Sequence, residues 1–288
     1  MATPLLVPLR MLGWAALGFA LGAGWKLGTV VFLFQPAEEM VSGAKMMIDD
    51  GVLEKFNIQS IYGLHNFPGM PEGSMSIMHG AVMAAVNIFK ITINGKGGHA
   101  AIPQAAGDSI LAASSIVTAL QSIVSRSIDP NDPVVVSVTS FRSSTNAYNI
   151  IPSTVIMRGT VRYFNPVLED LIPLRIRSLA ENIASGFGVE ADVFYEKGCP
   201  PTVNTEDEAR IARETAKQVT GEENLVRCSP VMIGEDFAFF LNERPGAYGF
   251  IGNGVDSAPL HSPLYDFNDK ILPVGASFFV RLVENVLG

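Results

Sequence analysis

Residues 28–36, GTVVFLFQP, form an unbroken apolar run that stops at a proline. A run without polar alternation predicts a strand covered on both faces, the habit of parallel sheets in α/β domains. Two carboxylates, Glu38 and Glu39, follow at once. The stretch 38–51 then spaces Met40, Val41, Ala44, Met47 and Ile48 near helical period and closes on Gly51, which suits a helix cap. Residues 58–66 and 73–78 read as further strands.

From about Val82 the pattern changes. AAVNIFKITING alternates like a half-exposed strand, and 108–126 reads as an amphipathic helix capped by Asp108. PVVVSVTSF and STVIMRGTVRYF are strands, VLEDLIPLRIRSLAENIASGFG is a helix that Pro173 should kink or delay, and VEADVFYEKG closes the series. This β-α-β-β-α-β order predicts a ferredoxin-like unit over residues 84–198. It splits a larger α/β domain into segments 1–83 and 199–288, the second expected to run helix, strand, helix, strand, helix.

Composition limits the possible functions. The 288 residues are 48% hydrophobic, enough for a sizeable core. A net charge of −8 with scattered Lys and Arg gives no basic surface for nucleic acid. The two cysteines, Cys199 and Cys228, make neither a disulfide framework nor a close-spaced metal motif and read as apolar thiols. A reducing compartment follows most simply, hence a cytoplasmic protein. The uncharged stretch 11–25, between Arg10 and Lys26, is short of the ~20 residues of a spanning helix. It is read as a buried helix of the first domain, the alternative being an export signal.

The polar landmarks fall at strand ends. Glu38 and Glu39 follow one strand, His65 follows the next in LHN, and His261 stands in HSPLYDFND after AYGFIGNG. Ligand sites of open α/β sheets collect outside the carboxyl ends of strands, so these four can converge. Imidazole and carboxylate suit zinc and similar divalent ions. Neighbouring side chains leaving a strand point in different directions, so one glutamate can bind a metal while the other faces the activated water. Each residue also has a structural reading: the glutamates as first-turn carboxylates and the histidines as hydrogen-bonded structural groups. His79 matches no motif and reads as a surface residue near the hinge. Asp236 in GEDFAFF reads as a helix-starting carboxylate near the cleft, its role left open. No Gly-x-Ser-x-Gly elbow is present.

GTVVFLFQPAEE, GLHN, NGKGGHAAIPQ, YNIIP, GEDFAFF and HSPLYDFND, in this order and spacing, resemble the metal-dependent amidohydrolases of the aminoacylase, hippurate hydrolase and auxin-conjugate hydrolase group, relatives of the aminoacylase and carboxypeptidase metallopeptidases. The resemblance runs from about Gly28 to the C-terminus. It implies that Glu38 is the general base, which takes a proton from activated water and passes it to the leaving amine. It implies metal ligation by Glu39, His65 and His261. His99 in GKGGH and Asn149 in YNIIP match lid residues that hold substrate or stabilise the oxyanion. The metal would be Zn, Mn, Ni or Co.

The sequence also departs from this pattern, because the group carries a His-x-Cys-Gly-His-Asp-x-His segment upstream and this chain does not. An internal start in a shifted reading frame would produce such an opening. The expectations are an N-terminally truncated catalytic α/β domain with an inserted ferredoxin-like lid and dimerisation domain, and an incomplete metal site holding at most one ion well. The substrate would be an N-acyl amino acid or small amide, and the assembly a homodimer. The alternative is a truncated homologue with weak or no hydrolytic activity that acts through lid-mediated association.

Overall fold

The computed structural model describes residues 28–40 and 42–288. The helix-or-signal reading of 11–25 lies outside them. The described residues divide into two compact units, one of residues 28–82, 202–231 and 235–288, the other of residues 83–201 and 232–234.

The first unit is built on a three-stranded sheet in the order Ile61–Pro68, Gly246–Gly254, Met75–Ser76. The first pair is parallel, with Ile61 opposite Gly246 and His65 opposite Phe250, and the second is antiparallel. The central strand is buried along all but its last residue, which explains its lack of polar alternation. Helix Glu206–Thr220 lays Ala209, Ala212 and Ala216 into a core with Phe278 and Leu282 of helix Leu272–Leu287. Alanines on that face allow close approach, and Glu206, Asp207 and Glu208 suit the positive end of the helix dipole. Asn204, 3% exposed, donates to the carbonyls of Met78 (2.7 Å) and Tyr248 (2.8 Å) and accepts from Tyr248 N (2.7 Å). One buried amide thereby satisfies three backbone groups.

The apolar run 28–36 departs from its expected buried strand. Among the described residues it pairs with no strand, and Val30, Phe32 and Phe34 are 43%, 50% and 52% exposed. The segment has the composition of a core strand, but a ladder also needs a neighbour, which composition does not supply. Glu38 and Glu39 likewise do not leave a strand end; they occupy the 3-10 turn Glu38–Met40. After Pro201 the order is strand Thr202–Asn204, helix Glu206–Thr220, helix Ala238–Glu243, strand, helix, so a short strand precedes the expected first helix and, among the described residues, no named strand stands between the first two helices.

The second unit has a four-stranded antiparallel sheet in the order Val134–Ser143, Thr154–Tyr163, Asn87–Asn94, Glu190–Lys197. Strand Asn87–Asn94 alternates buried with partly or fully exposed positions along most of its length. Its inward residues Phe89, Ile91 and Ile93 pack with Ile116 and Leu120 of helix Ser109–Ser122 and with Ile172 and Ile176 of helix Leu168–Gly186. Asp108 caps the first helix, accepting from Leu111 N at 3.0 Å. The second starts at Leu168 with Pro173 inside it, so the proline does not delay it. Residues Ser109–Ser127 are long and apolar enough to cross a membrane, but Ala112, Ile116 and Leu120 serve this core. Residues 232–234 join the unit through Ala84 N, which donates to Ile233 O.

Candidate active site

His65 is placed by its strand, with its ring edge-on to Tyr248 at 6.4 Å. Its Nδ1 lies 2.6 Å from the Asn66 carbonyl oxygen. A carbonyl can only accept, so Nδ1 carries the proton and Nε2 keeps its lone pair for a ligand. Burial disfavours the imidazolium and lowers the proton affinity of His65, favouring the form that binds metals.

His261 lies in the loop after the central strand with φ +63, a conformation a residue with a Cβ holds only under constraint. The constraint is visible around it. Asn253, 2% exposed, donates to Asp266 O and accepts from Asn268 N, and Asn66 Nδ2 donates to the Tyr265 hydroxyl. The His261 Nε2 atom lies 3.9 Å from Glu39 Oε2. Both groups also act on the charge of His65. Two imidazoles and a carboxylate, one imidazole with its tautomer fixed by a backbone carbonyl, fit a divalent cation by donor chemistry. The three do not close to mutual ligand spacing in this conformation.

Among the described residues, the group of three whose donor atoms lie within 4.8 Å of one another is Glu38, Glu235 and Asp236. Glu38 is half-buried, while Glu235 and Asp236 are 4% and 0% exposed. Burial, then the charges of Glu39 and Asp236, raises the Glu38 carboxyl to about 7, with His261 opposing. Burial and the charge of Glu38 raise Glu235 to about 8, against the stabilising hydrogen bonds from the Tyr248 hydroxyl (2.7 Å) and Phe237 N (3.1 Å). Asp236 is raised as well, chiefly by burial. Carboxyls this close hold protons near neutrality, the condition for a group that accepts and returns one. Sequence reasoning missed Glu235. Its signal is an acidic pair directly before the apolar FAFF, a place where a surface charge is unexpected.

The other two candidate residues belong to the second unit. His99 ends the short strand Gly98–His99, which pairs with Ile150–Ile151. Ala101 N donates to His99 Nδ1 at 3.1 Å, so the neutral ring presents its N–H at Nε2. Ala100 N donates to the Asn149 carbonyl at 2.9 Å. His99 and Asn149 line one open groove of about 560 Å³ with Gly97, Gly98, Thr145 and Ser153. The structure therefore brings Glu38, Glu39, His65 and His261 together in one unit and His99 with Asn149 in the other.

Comparison with known proteins agrees with these motifs. The chain is 40% identical over 268 residues to "IAA-amino acid hydrolase ILR1-like 5" of Arabidopsis thaliana, covering 90% of this chain and 61% of that one. It is 38% identical to the hippurate hydrolase of Campylobacter jejuni, covering 90% and 68%. With the N-acetylcysteine deacetylase of Bacillus subtilis the identity is 37%, covering 90% and 67%. The chain thus spans about three fifths to two thirds of the length of these relatives. A crystal structure of a Bacillus subtilis protein described as a dinuclear metal-binding peptidase of the M20 family superposes with a TM-score of 0.75 at 31% identity, covering 88% of this chain and 64% of that one. The model of peptidase family M20/M25/M40 matches residues 11–285, and the chain belongs to that family.

Proposed function

We propose that this chain is a metal-dependent amidohydrolase that cleaves N-acyl amino acids or related small amides. The observation that carries the reading is the juxtaposition of Glu38, in a buried carboxyl cluster, with the exposed Glu39–His261 pair and the lone pair of His65. Glu39, His65 and His261 would hold a divalent ion. When bound, such an ion acts as a Lewis acid and lowers the pKa of water.

The residues of the chain supply the rest. Glu38 takes a proton from the attacking water and delivers it to the departing amine nitrogen, which frees the amino acid from the acyl group. His99 offers an Nε2–H donor suited to the developing oxyanion, and Asn149 holds substrate in the same groove. In this reading residues 83–201 act as a lid, and the protein works in the cytoplasm. We also infer a homodimer. Strand Val134–Ser143 is a sheet edge, and Val30, Phe32 and Phe34 leave apolar surface uncovered.

The test is release of free amino acid from N-benzoyl and N-acetyl amino acids, with and without added Mn²⁺ or Zn²⁺, by wild type and Glu38→Gln. The reading expects metal-dependent release that Glu38→Gln abolishes at unchanged metal content. Loss of metal along with activity would exchange the roles of Glu38 and Glu39. A second reading, weak or no hydrolysis with association as the surviving property, is favoured by the same uncovered apolar stripe. An inactive dimer carrying less than one metal per chain would support it.

A further inference from the structure

The two glutamates of the site ride on a short loop with little internal support. The turn Glu38–Met40 has no buried residue, and the backbone hydrogen bond from Met40 N to Ala37 O is long, at 3.2 Å. Ala37 is left-handed at φ +53, so the loop departs from a relaxed path just before Glu38. A loop of this kind wanders unless its ends are fixed.

Both ends are fixed to one side chain. Gln35 Nε2, just before the loop, donates to Asp236 Oδ1. Ala44 N, just after it, donates to Asp236 Oδ2 at 3.0 Å, and Gly43 N lies close enough to help stabilise the same carboxylate. Asp236 is fully buried, and its neighbour Glu235 is tied to the central strand through the Tyr248 hydroxyl. The carboxylate thus takes hydrogen bonds from both ends of this loop, and the Glu235 side chain bonds to it as well.

We propose that Asp236 is a positioning residue: it clamps Gln35 to Gly43 and Ala44 and thereby sets where Glu38 and Glu39 stand, without touching substrate. The proposal rests on the reading of Glu38 as base and Glu39 as ligand. A catalytic group displaced by about 1 Å can lose ~100-fold in rate, so a clamp on both loop ends matters for turnover far more than one hydrogen bond matters for stability.

The experiment compares Asp236→Ala, Gln35→Glu, Asp236→Asn and the pair Gln35→Glu/Asp236→Asn with wild type. The first readout is amide hydrogen exchange at Gly43 and Ala44 in the metal-free protein; the second is kcat and KM for an N-acyl amino acid. Asparagine can accept from Ala44 N and donate to the side-chain oxygen at position 35, amide or carboxylate alike, so both variants that carry it keep the clamp closed. Asp236→Ala and Gln35→Glu should each speed exchange at Gly43 and Ala44, with kcat down ~100-fold and KM little changed. The pair should restore the protection and most of the kcat that Gln35→Glu alone loses. Unchanged exchange in Asp236→Ala overturns the clamp. Failure of the pair to rescue Gln35→Glu, or Asp236→Asn losing as much as Asp236→Ala, assigns Asp236 a charge or cation-ligand role instead and also overturns it. If wild type hydrolyses no N-acyl amino acid, the amidase reading falls, and the exchange data alone decide the clamp.

Discussion

Gly43 begins the helix Gly43–Asp49, and replacing it with alanine sets two effects of opposite sign against each other. Helix propensity favours alanine over glycine by about 0.5–1 kcal/mol in a helix interior, and by less at the first residue. Sterics oppose it. A Cβ at Gly43 would lie 1.6 Å from the Pro36 carbonyl oxygen and 2.7 Å from its carbon. Ordinary contact begins near 3.4 Å, so the two backbone segments must part by about 1.8 Å. The obstacle is main chain, held by a proline ring and by the Gln35–Asp236 bond, so no flexible side chain can swing aside. Overpacking costs ~1–3 kcal/mol, and an overlap this deep belongs at the upper end. Subtracting the propensity gain leaves a net loss of ~2–3 kcal/mol, a fall in Tm of roughly 4–12 °C for a chain of this size. Circular dichroism melts of wild type and Gly43→Ala measure it. Because the same displacement carries Glu39, a calorimetric Mn²⁺ titration should show affinity weakened ~10–100-fold, as when support around a ligand is lost. A raised Tm with unchanged Mn²⁺ affinity would refute the reasoning, since it would mean that the loop and the helix start are not crowded.

Three further outcomes are expected. The Glu235 carboxyl, raised from 4.5 to about 8 in the folded chain, contributes stability that is fully present below the ordinary value and lost as pH rises through about 8. Wild-type Tm should therefore fall between about pH 5 and about pH 9, and Glu235→Gln, which can still accept from Phe237 N and donate to Tyr248, should flatten that fall; parallel curves would contradict it. Asn204→Ala strands two carbonyls and one N–H in the buried sheet, so urea unfolding should show a loss of at least ~3 kcal/mol, and a loss under ~1 would mean that water replaces the amide. Asp108→Ala removes the cap of helix Ser109–Ser122 at a cost of ~1 kcal/mol, visible as a lower melting midpoint, whereas Asp108→Asn should keep most of it.

The second unit was legible because its signals are local. The alternation of NIFKITIN, the cap at Asp108 and the apolar face of 108–126 each depend on residues a few positions apart, and the structure keeps all three. The first unit was harder to read. The run 28–36 announced burial, but whether a strand forms depends on a partner strand, which the run itself does not encode. The residues that shape the Glu38–Glu39 loop are about two hundred positions away, with Gln35 and Asp236 separated by 201 residues and Ala44 and Asp236 by 192. No periodicity spans such a gap. Glu235 was overlooked because its one local cue, an acidic pair before an apolar run, does not reveal the distant Tyr248 hydroxyl that lets a glutamate be buried. His65 and His261 were legible as candidates because few histidines exist to choose from, but the tautomer of His65 and the left-handed backbone of His261 are properties of the fold.

The way the chain is apportioned between its units also sets an order of assembly. Apart from residues 232–234, the second unit is continuous from 83 to 201, so it holds nearly all of its own core once that stretch has left the ribosome. The first unit cannot close then, because Ile61 waits for Gly246 to form its parallel pair. Non-local parallel pairing is slow, and until it completes the first strand stays an open edge. During synthesis the chain therefore passes through a state with one finished unit and one waiting strand, beside the exposed Val30, Phe32 and Phe34. Yield in expression should depend on how long that state lasts, and slower synthesis at lower temperature or added chaperone should raise the soluble fraction without altering the finished protein.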